Sequence, residues 1–345
     1  MSKTHRRLLG AIAGFAALSA VSVNGAAASV PVDLRVVSSD GGNIAEVRQY
    51  VPQMTTIKSF EGPDCFSDSN MSTGQSYTLP RPTFAGAIWE AAEADPALQP
   101  VRFSDAYYSS LGSLGICQIN AKTPPGYFYL KANHQSLQVG ADQFAIQGGE
   151  DLLAYRTPDD FSADEELEMT APVRTAPGAV LVNVRGYGST VAPHEGAVVN
   201  GGDAPAVTDS FGNATVNFSA PGRYQLVATG DYNDIPSRVL SVCVADQPEQ
   251  ACPDERGQDI VGSNDAEGIK GTDGDDVIKP RGGRDGVKSG AGNDLIIVNG
   301  GGRDRVFCGG GKDVVVRSKN DRVSKSCEVI RGAKQKPKKK GKHRK

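Results

Sequence analysis

A chain of 345 residues with a formal net charge of −3 has room for two or three domains. Beyond the N-terminus no segment is apolar enough to span a bilayer, which excludes an integral helical membrane protein. The charge is unevenly placed. Without the eight Lys or Arg of the last twelve residues, KQKPKKKGKHRK, it falls to −11, and without Lys3, Arg6 and Arg7 to −14. The folded part is therefore acidic and ends in a basic arm, a distribution that does not suit a specific nucleic-acid binder.

The N-terminus reads as an export signal over residues 1–28. Lys3, Arg6 and Arg7 precede the apolar run AIAGFAALSAVSV (11–23), and Ala26-x-Ala28 supplies small residues for cleavage. Export puts the six cysteines in an oxidising compartment, where an even count predicts disulfides. Sequential pairing, Cys65–Cys117, Cys243–Cys252 and Cys308–Cys327, keeps each bridge within one composition block and is favoured among the formal alternatives. No C-x-x-C occurs, which argues against a metal-thiolate site.

Residues 31–158 form a first block. VDLRVV (32–37), VRQYV (47–51) and TTIKSF (55–60) read as strands. TFAGAIWEAAEAD (83–95) reads as a helix with Thr83 as N-cap, Phe84, Ile88 and Ala91 on one face, and Pro96 as its stop. Further strands follow at GICQI (115–119), FYLKAN (128–133) and DLLAY (151–155), an α+β pattern with the helix on one sheet. Pro82-Thr83-Phe84, LGSLGICQIN and GYFYLKANHQSLQVGADQFAIQGGEDLLAY (126–155) resemble the transcobalamin C-terminal-like β-grasp domain. The resemblance implies a β-grasp fold. It departs from the family at Gly149-Glu150, where Gly-Asp is usual, and at Phe128 or Tyr129, where a Trp is usual.

The acidic run Asp159-Asp160 and Asp164-Glu165-Glu166 reads as a solvated linker. Short alternating strands then recur over 168–245: AVLVNVRGYG (179–188), EGAVVNGG (195–202), APAVTDSFGNATVNF (204–218), GRYQLVATG (222–230) and SRVLSVCV (237–244). That is the pattern of an all-β sandwich, and the segment resembles the Ig-like spacer domains of bacterial surface proteins. Residues 246–257 read as a linker.

The last block, 258–330, is repetitive. Asp276, Asp285, Asp294, Asp304, Asp313 and Asp321 recur at intervals of 9, 9, 10, 9 and 8, and a β-branched residue follows each by two: Ile278, Val287, Ile296, Val306, Val315 and Val323. Glycines precede the aspartates, among them Gly274, Gly283, Gly292, Gly302 and Gly311. A fixed short period predicts stacked coils, with glycine making the turns and the β-branched residues a thin core. Turn carbonyls and a carboxylate together are oxygen ligands of the kind Ca²⁺ takes.

These units resemble the repeats-in-toxin nonapeptide, GGxGxDxUx. The resemblance implies a parallel β-roll with turns alternating between two sides and Ca²⁺ between units two apart, joining Asp276 with Asp294, Asp285 with Asp304, and Asp294 with Asp313: about three ions. A metal-free roll, held by its apolar ladder and by Cys308–Cys327, is the alternative. From Asp259 to Arg331 there are twelve acids and thirteen bases, without the usual acidic excess.

Four histidines, with no G-x-S-x-G or H-E-x-x-H motif, give no catalytic constellation. The expected molecule is multidomain and mainly β: an α+β β-grasp domain, an Ig-like sandwich and a parallel β-roll, ending in a basic disordered tail over 331–345. Its expected role is non-enzymatic: an exported, calcium-binding protein of the cell surface, with the tail on an anionic cell-wall polymer. The alternatives are a ligand-binding protein acting through the β-grasp domain, with corrinoid or glycan as ligand class, and, third, a hydrolase.

Overall fold

The computed structural model describes residues 29–332 except 39–40, 66, 68, 122–125, 157–164 and 232. The export-signal residues, the tail beyond Gly332 and the acids Asp159, Asp160 and Asp164 lie outside the described residues. The fold is mainly β, 45% strand and 8% helix.

In β1 (Val30–Val37) alternate residues Val32, Leu34 and Val36 are buried on one face. It pairs antiparallel with β2 (Asn43–Val51) and parallel with the Asp151–Arg156 strand, which pairs antiparallel with Phe128–Ala132. Numbered along the chain, these four strands lie in the order 2-1-4-3 with the middle two parallel, which is the β-grasp arrangement. Helix α1 (Phe84–Ala94) covers the sheet and buries Phe84, Ile88, Ala91 and Ala92. Thr83 caps it, its Oγ1 accepting from the Gly86 amide at 3.1 Å. Pro96 follows the helix end at Asp95, as the sequence predicts.

Two further sheets form the sandwich. One contains Glu166–Thr170, Gly178–Tyr187, Val191–Pro193 and Asn213–Phe218; the other contains Arg174–Thr175, Val198–Asn200, Ala206–Val207, Gly222–Thr229 and Leu240–Val244. Inward residues of the two sheets, Val182, Val184, Val216, Phe218, Leu226 and Val242 among them, make its core. Glu166 corrects the expectation of a solvated acidic linker. It is 1% exposed, lies in the first strand opposite Tyr187, and pairs with Arg35 of β1. Within 246–257 the chain makes a short helix, Pro248–Ala251, and the Cys243–Cys252 bridge.

Residues 259–332 form a parallel β-solenoid of about four turns. Strands two units apart stack: Asp259–Val261, Val277–Lys279, Leu295–Val298, Val314–Arg317 and Val329–Gly332 on one side, with Gly268–Lys270, Gly286–Lys288, Arg305–Phe307 and Arg322–Val323 on the other. The strand reaches Gly332, so Arg331 and Gly332 belong to the solenoid and not to the basic tail. Ile260, Ile269, Ile278, Val287, Ile296, Val306 and Val315 fill the interior.

The solenoid is not a detached appendage. Its first strand adds parallel to β2, Arg48 opposite Ile260 and Gln49 opposite Val261, so one ten-stranded sheet runs from the β-grasp domain along one face of the solenoid. Tyr50 joins the solenoid's apolar stack. All three disulfides are sequential, Cys65–Cys117, Cys243–Cys252 and Cys308–Cys327. The last closes the far end, with both of its residues packed in the apolar stack.

Candidate metal centre

The aspartate follows each turn, and the period of the coil puts equivalent aspartates in two rows. One row is Asp276, Asp294, Asp313; the other is Asp285, Asp304, Asp321, and all six are at most 2% exposed. Each side chain reaches back one coil. The Asp276 amide donates to Asp294 Oδ1 at 2.9 Å, that of Asp285 to Asp304 Oδ1 at 2.9 Å, that of Asp294 to Asp313 Oδ1 at 3.0 Å, and that of Asp304 to Asp321 Oδ1 at 3.2 Å.

The rows extend beyond the aspartates. Gln258 and Glu267 donate their amides to Asp276 and Asp285, at 2.7 and 2.9 Å, and Glu328 accepts from the Asp313 amide at 2.9 Å. These three end positions are not singled out by an aspartate motif. The available signal is phase: Ile260, Ile269 and Ile330 each follow by two residues.

The second carboxylate oxygens divide the rows. Asp276 Oδ2 accepts from the Thr272 amide at 2.7 Å, and Asp321 Oδ2 from the Ser318 amide at 2.7 Å. The Oδ2 atoms of Asp285, Asp294, Asp304 and Asp313 are buried without a hydrogen-bond partner, as is Oε2 of Glu267. The Ser289 hydroxyl stands beside Asp294 and lowers its pKa without closing a hydrogen bond to Oδ2. Burial raises the pKa of these carboxyls and nearby acids raise it further: Asp285 to about 8, with stacked Glu267 and Asp304 beside it, and Glu267 to about 7, with Asp265 on its own turn.

The turns also stack backbone oxygens closely from coil to coil. Carbonyl oxygens of Thr272, Gly274, Gly283, Gly290 and Gly292 face the α-carbons of Gly290, Gly292, Gly302, Gly309 and Gly311. A Cβ at any of those five glycines would stand 1.6–2.4 Å from the oxygen. Close stacking, as much as turn conformation, therefore requires glycine here. Buried carboxylate oxygens without partners are donors of the type that a hard cation takes.

Among the described residues, clusters of three metal-ligating side chains occur at Asp64, Cys65 and Cys117 and at His134, Asp151 and Glu168, and not within the aspartate rows. In the first, both sulfurs are in a disulfide. In the second, Arg238 pairs with Asp151 and His134, 3.2 Å from Glu166, stacks on Tyr187, while Glu168 Oε1 is buried without a hydrogen-bond partner. No helix of the described residues is long and apolar enough to cross a membrane. No family model matches the chain, and neither a curated protein nor a solved structure matches it. What defines the centre is the chain's own geometry: two rows of buried carboxylates along a parallel β-solenoid.

Proposed function

We propose that the solenoid is a calcium β-roll of the repeats-in-toxin kind, within an exported, non-enzymatic binding protein of the cell surface. The observation that carries this reading is the set of buried, partnerless oxygens on Asp285, Asp294, Asp304 and Asp313. No described residue donates to them, and a buried carboxylate is costly unless a cation or a proton joins it. Asp285 with Asp304, and Asp294 with Asp313, are stacked pairs that would each hold an ion together with turn carbonyls. Asp276 spends its second oxygen on Thr272, so the Asp276–Asp294 pair is the weakest of the three sites expected.

Bound ion would neutralise the rows and fasten successive coils, so binding contributes folding free energy. The test is thermal melting of the whole chain, since the first coil completes its sheet on β2. Millimolar Ca²⁺ should raise the melting temperature over that in chelator, with Mg²⁺ weaker. Asp294→Asn should remove more bound Ca²⁺ in a calorimetric titration than Asp276→Asn. Identical melting with chelator and with Ca²⁺ would sink the reading.

One observation favours a second role, ligand binding by the β-grasp domain. A cavity of 480 Å³ opens there, lined by Tyr107, Leu111, Leu114, Ile116, Tyr127, Phe128 and Leu130. Its aromatic and aliphatic wall suits an apolar small molecule. Melting the chain against corrinoids, glycans and aromatic amphiphiles tests it: no shift with any class leaves the cavity without support. For the basic arm beyond Gly332, an anionic cell-wall polymer is the partner its charge suits.

A further inference from the structure

β1 begins at Val30, opposite Val51 at the end of β2, and this brings Ser29 against the solenoid's first coils. Ser29 is 7% exposed, and its hydroxyl donates to Glu267 Oε1 at 2.9 Å. The same oxygen accepts from the Ser263 amide and hydroxyl. Glu267 Oε2 is left without a partner, and so is Oδ2 of Asp285, whose other oxygen accepts from the Glu267 amide. Glu267 is 6% exposed and Asp285 2%. Among the described residues no Lys, Arg or His nitrogen is within ion-pair distance of either. Glu267, stacked one coil from Asp285, is thus a buried carboxylate with no cation from the described side chains.

We infer that the missing cation is the α-ammonium of Ser29, set free by cleavage of the Ala28–Ser29 bond. The Ser29 nitrogen is three bonds from Oγ and so lies within about 4 Å of it. In the uncleaved chain that nitrogen carries one hydrogen and no charge. Hydrolysis by a processing peptidase adds one water across the amide. Ala28 leaves as a carboxylate, and Ser29 keeps the proton as an ammonium with three donors and a positive charge. The small residues Ala26 and Ala28 ahead of the bond are of the type such a peptidase accepts. The new ammonium would pair with Glu267, pinning β1 to the first coils. Processing would then complete the junction between the first domain and the solenoid. The cleavage half rests on the export reading; the ion-pair half does not.

Two measurements separate these halves. Intact mass and N-terminal sequencing of the chain exported from a bacterial host should give Ser29 as the first residue. Independently, residues 29–345 are released from a removable fusion in three forms: free at Ser29, extended by one Gly, and N-acetylated. In chelator, the free form should melt about 3 °C or more above the other two. Glu267→Gln should erase that difference, whereas Asp265→Asn, on the same turn, should keep it. A first residue other than Ser29 overturns the processing claim, and equal melting of the free and acetylated chains overturns the ion pair.

Discussion

Gly302 and Gly310 look alike in the sequence, each within three consecutive glycines, yet their surroundings differ. A Cβ on Gly302 would stand 1.6 Å from the Gly283 carbonyl oxygen, while one on Gly310 would meet nothing within 4 Å. Gly302→Ala should therefore cost about 3 kcal/mol, the scale of a backbone forced aside, and Gly310→Ala should leave urea denaturation almost unchanged. Equal effects would mean that the coils do not stack this closely. Asp105 makes a second residue-scale case. Burial raises its pKa, but hydrogen bonds from Thr73, Tyr77 and Ser72 outweigh burial and hold it at about 2. Its folded pKa is below the unfolded value near 3.9, so its stabilisation is present above about pH 4 and fades as pH falls towards 2. Asp105→Asn should lower the melting temperature at pH 7, and the gap from wild type should close near pH 2. A gap that is constant with pH would show that the carboxylate charge is not what matters. No motif marks this aspartate, because its partners Ser59, Ser72, Thr73 and Tyr77 come from 28 to 46 residues away.

At the scale of elements, local period was readable and its ends were not. The spacing of six aspartates and their β-branched followers predicts coils alternating between two sides, and the strands pair two units apart as that implies. Gln258, Glu267 and Glu328 hold the same place at the row ends, but a changed side chain hides them from an aspartate count. Helix α1 was legible for a similar reason: cap, apolar face and proline stop all lie within its own few residues. The far end of the solenoid carries the element-scale prediction. Cys308 and Cys327 are 19 apart, and their bridge folds the last turn onto the final coils, where Ser326 Oγ donates to the Cys308 carbonyl at 2.7 Å. Replacing both with Ser should cost on the order of 3 kcal/mol in the chain-entropy account, read as a lower denaturation midpoint under non-reducing conditions. An unchanged midpoint would mean that apolar stacking alone holds the cap.

At the scale of the molecule, the joints between modules were invisible to the sequence, because each is made by residues far apart in the chain. Arg35, fully buried in β1, donates to Glu166 Oε1 at 2.6 Å and to the Pro236 carbonyl at 2.7 Å, tying sandwich to β-grasp domain. Burial pushes the Glu166 carboxyl up, but His134, Arg35 and Lys131 together hold it down at about 2. Arg35→Met would remove the shortest of that carboxylate's ion pairs and leave it to Lys131 and His134, at a cost of about 3 kcal/mol. Arg35→Met with Glu166→Gln should recover part of the loss in a denaturant titration; no recovery would mean that packing, not charge, makes the joint. Arg281 reaches Glu90 of α1, and Arg223 reaches Asp275, so the solenoid is tied to both other modules. The strand added to β2 has a consequence in time as well as in space. The chain leaves the common sheet at Arg156 and rejoins it at Asp259, on the far side of β2. The pairing of Arg48 with Ile260 therefore closes a very long loop, and contacts of that kind form late. The first coil has no edge to grow on until β2 is in place, so acquisition of structure should be vectorial, the N-terminal module templating coils that zip outward one after another. A ribosome delivers the chain in the same direction, and the template is complete before the last repeats are made.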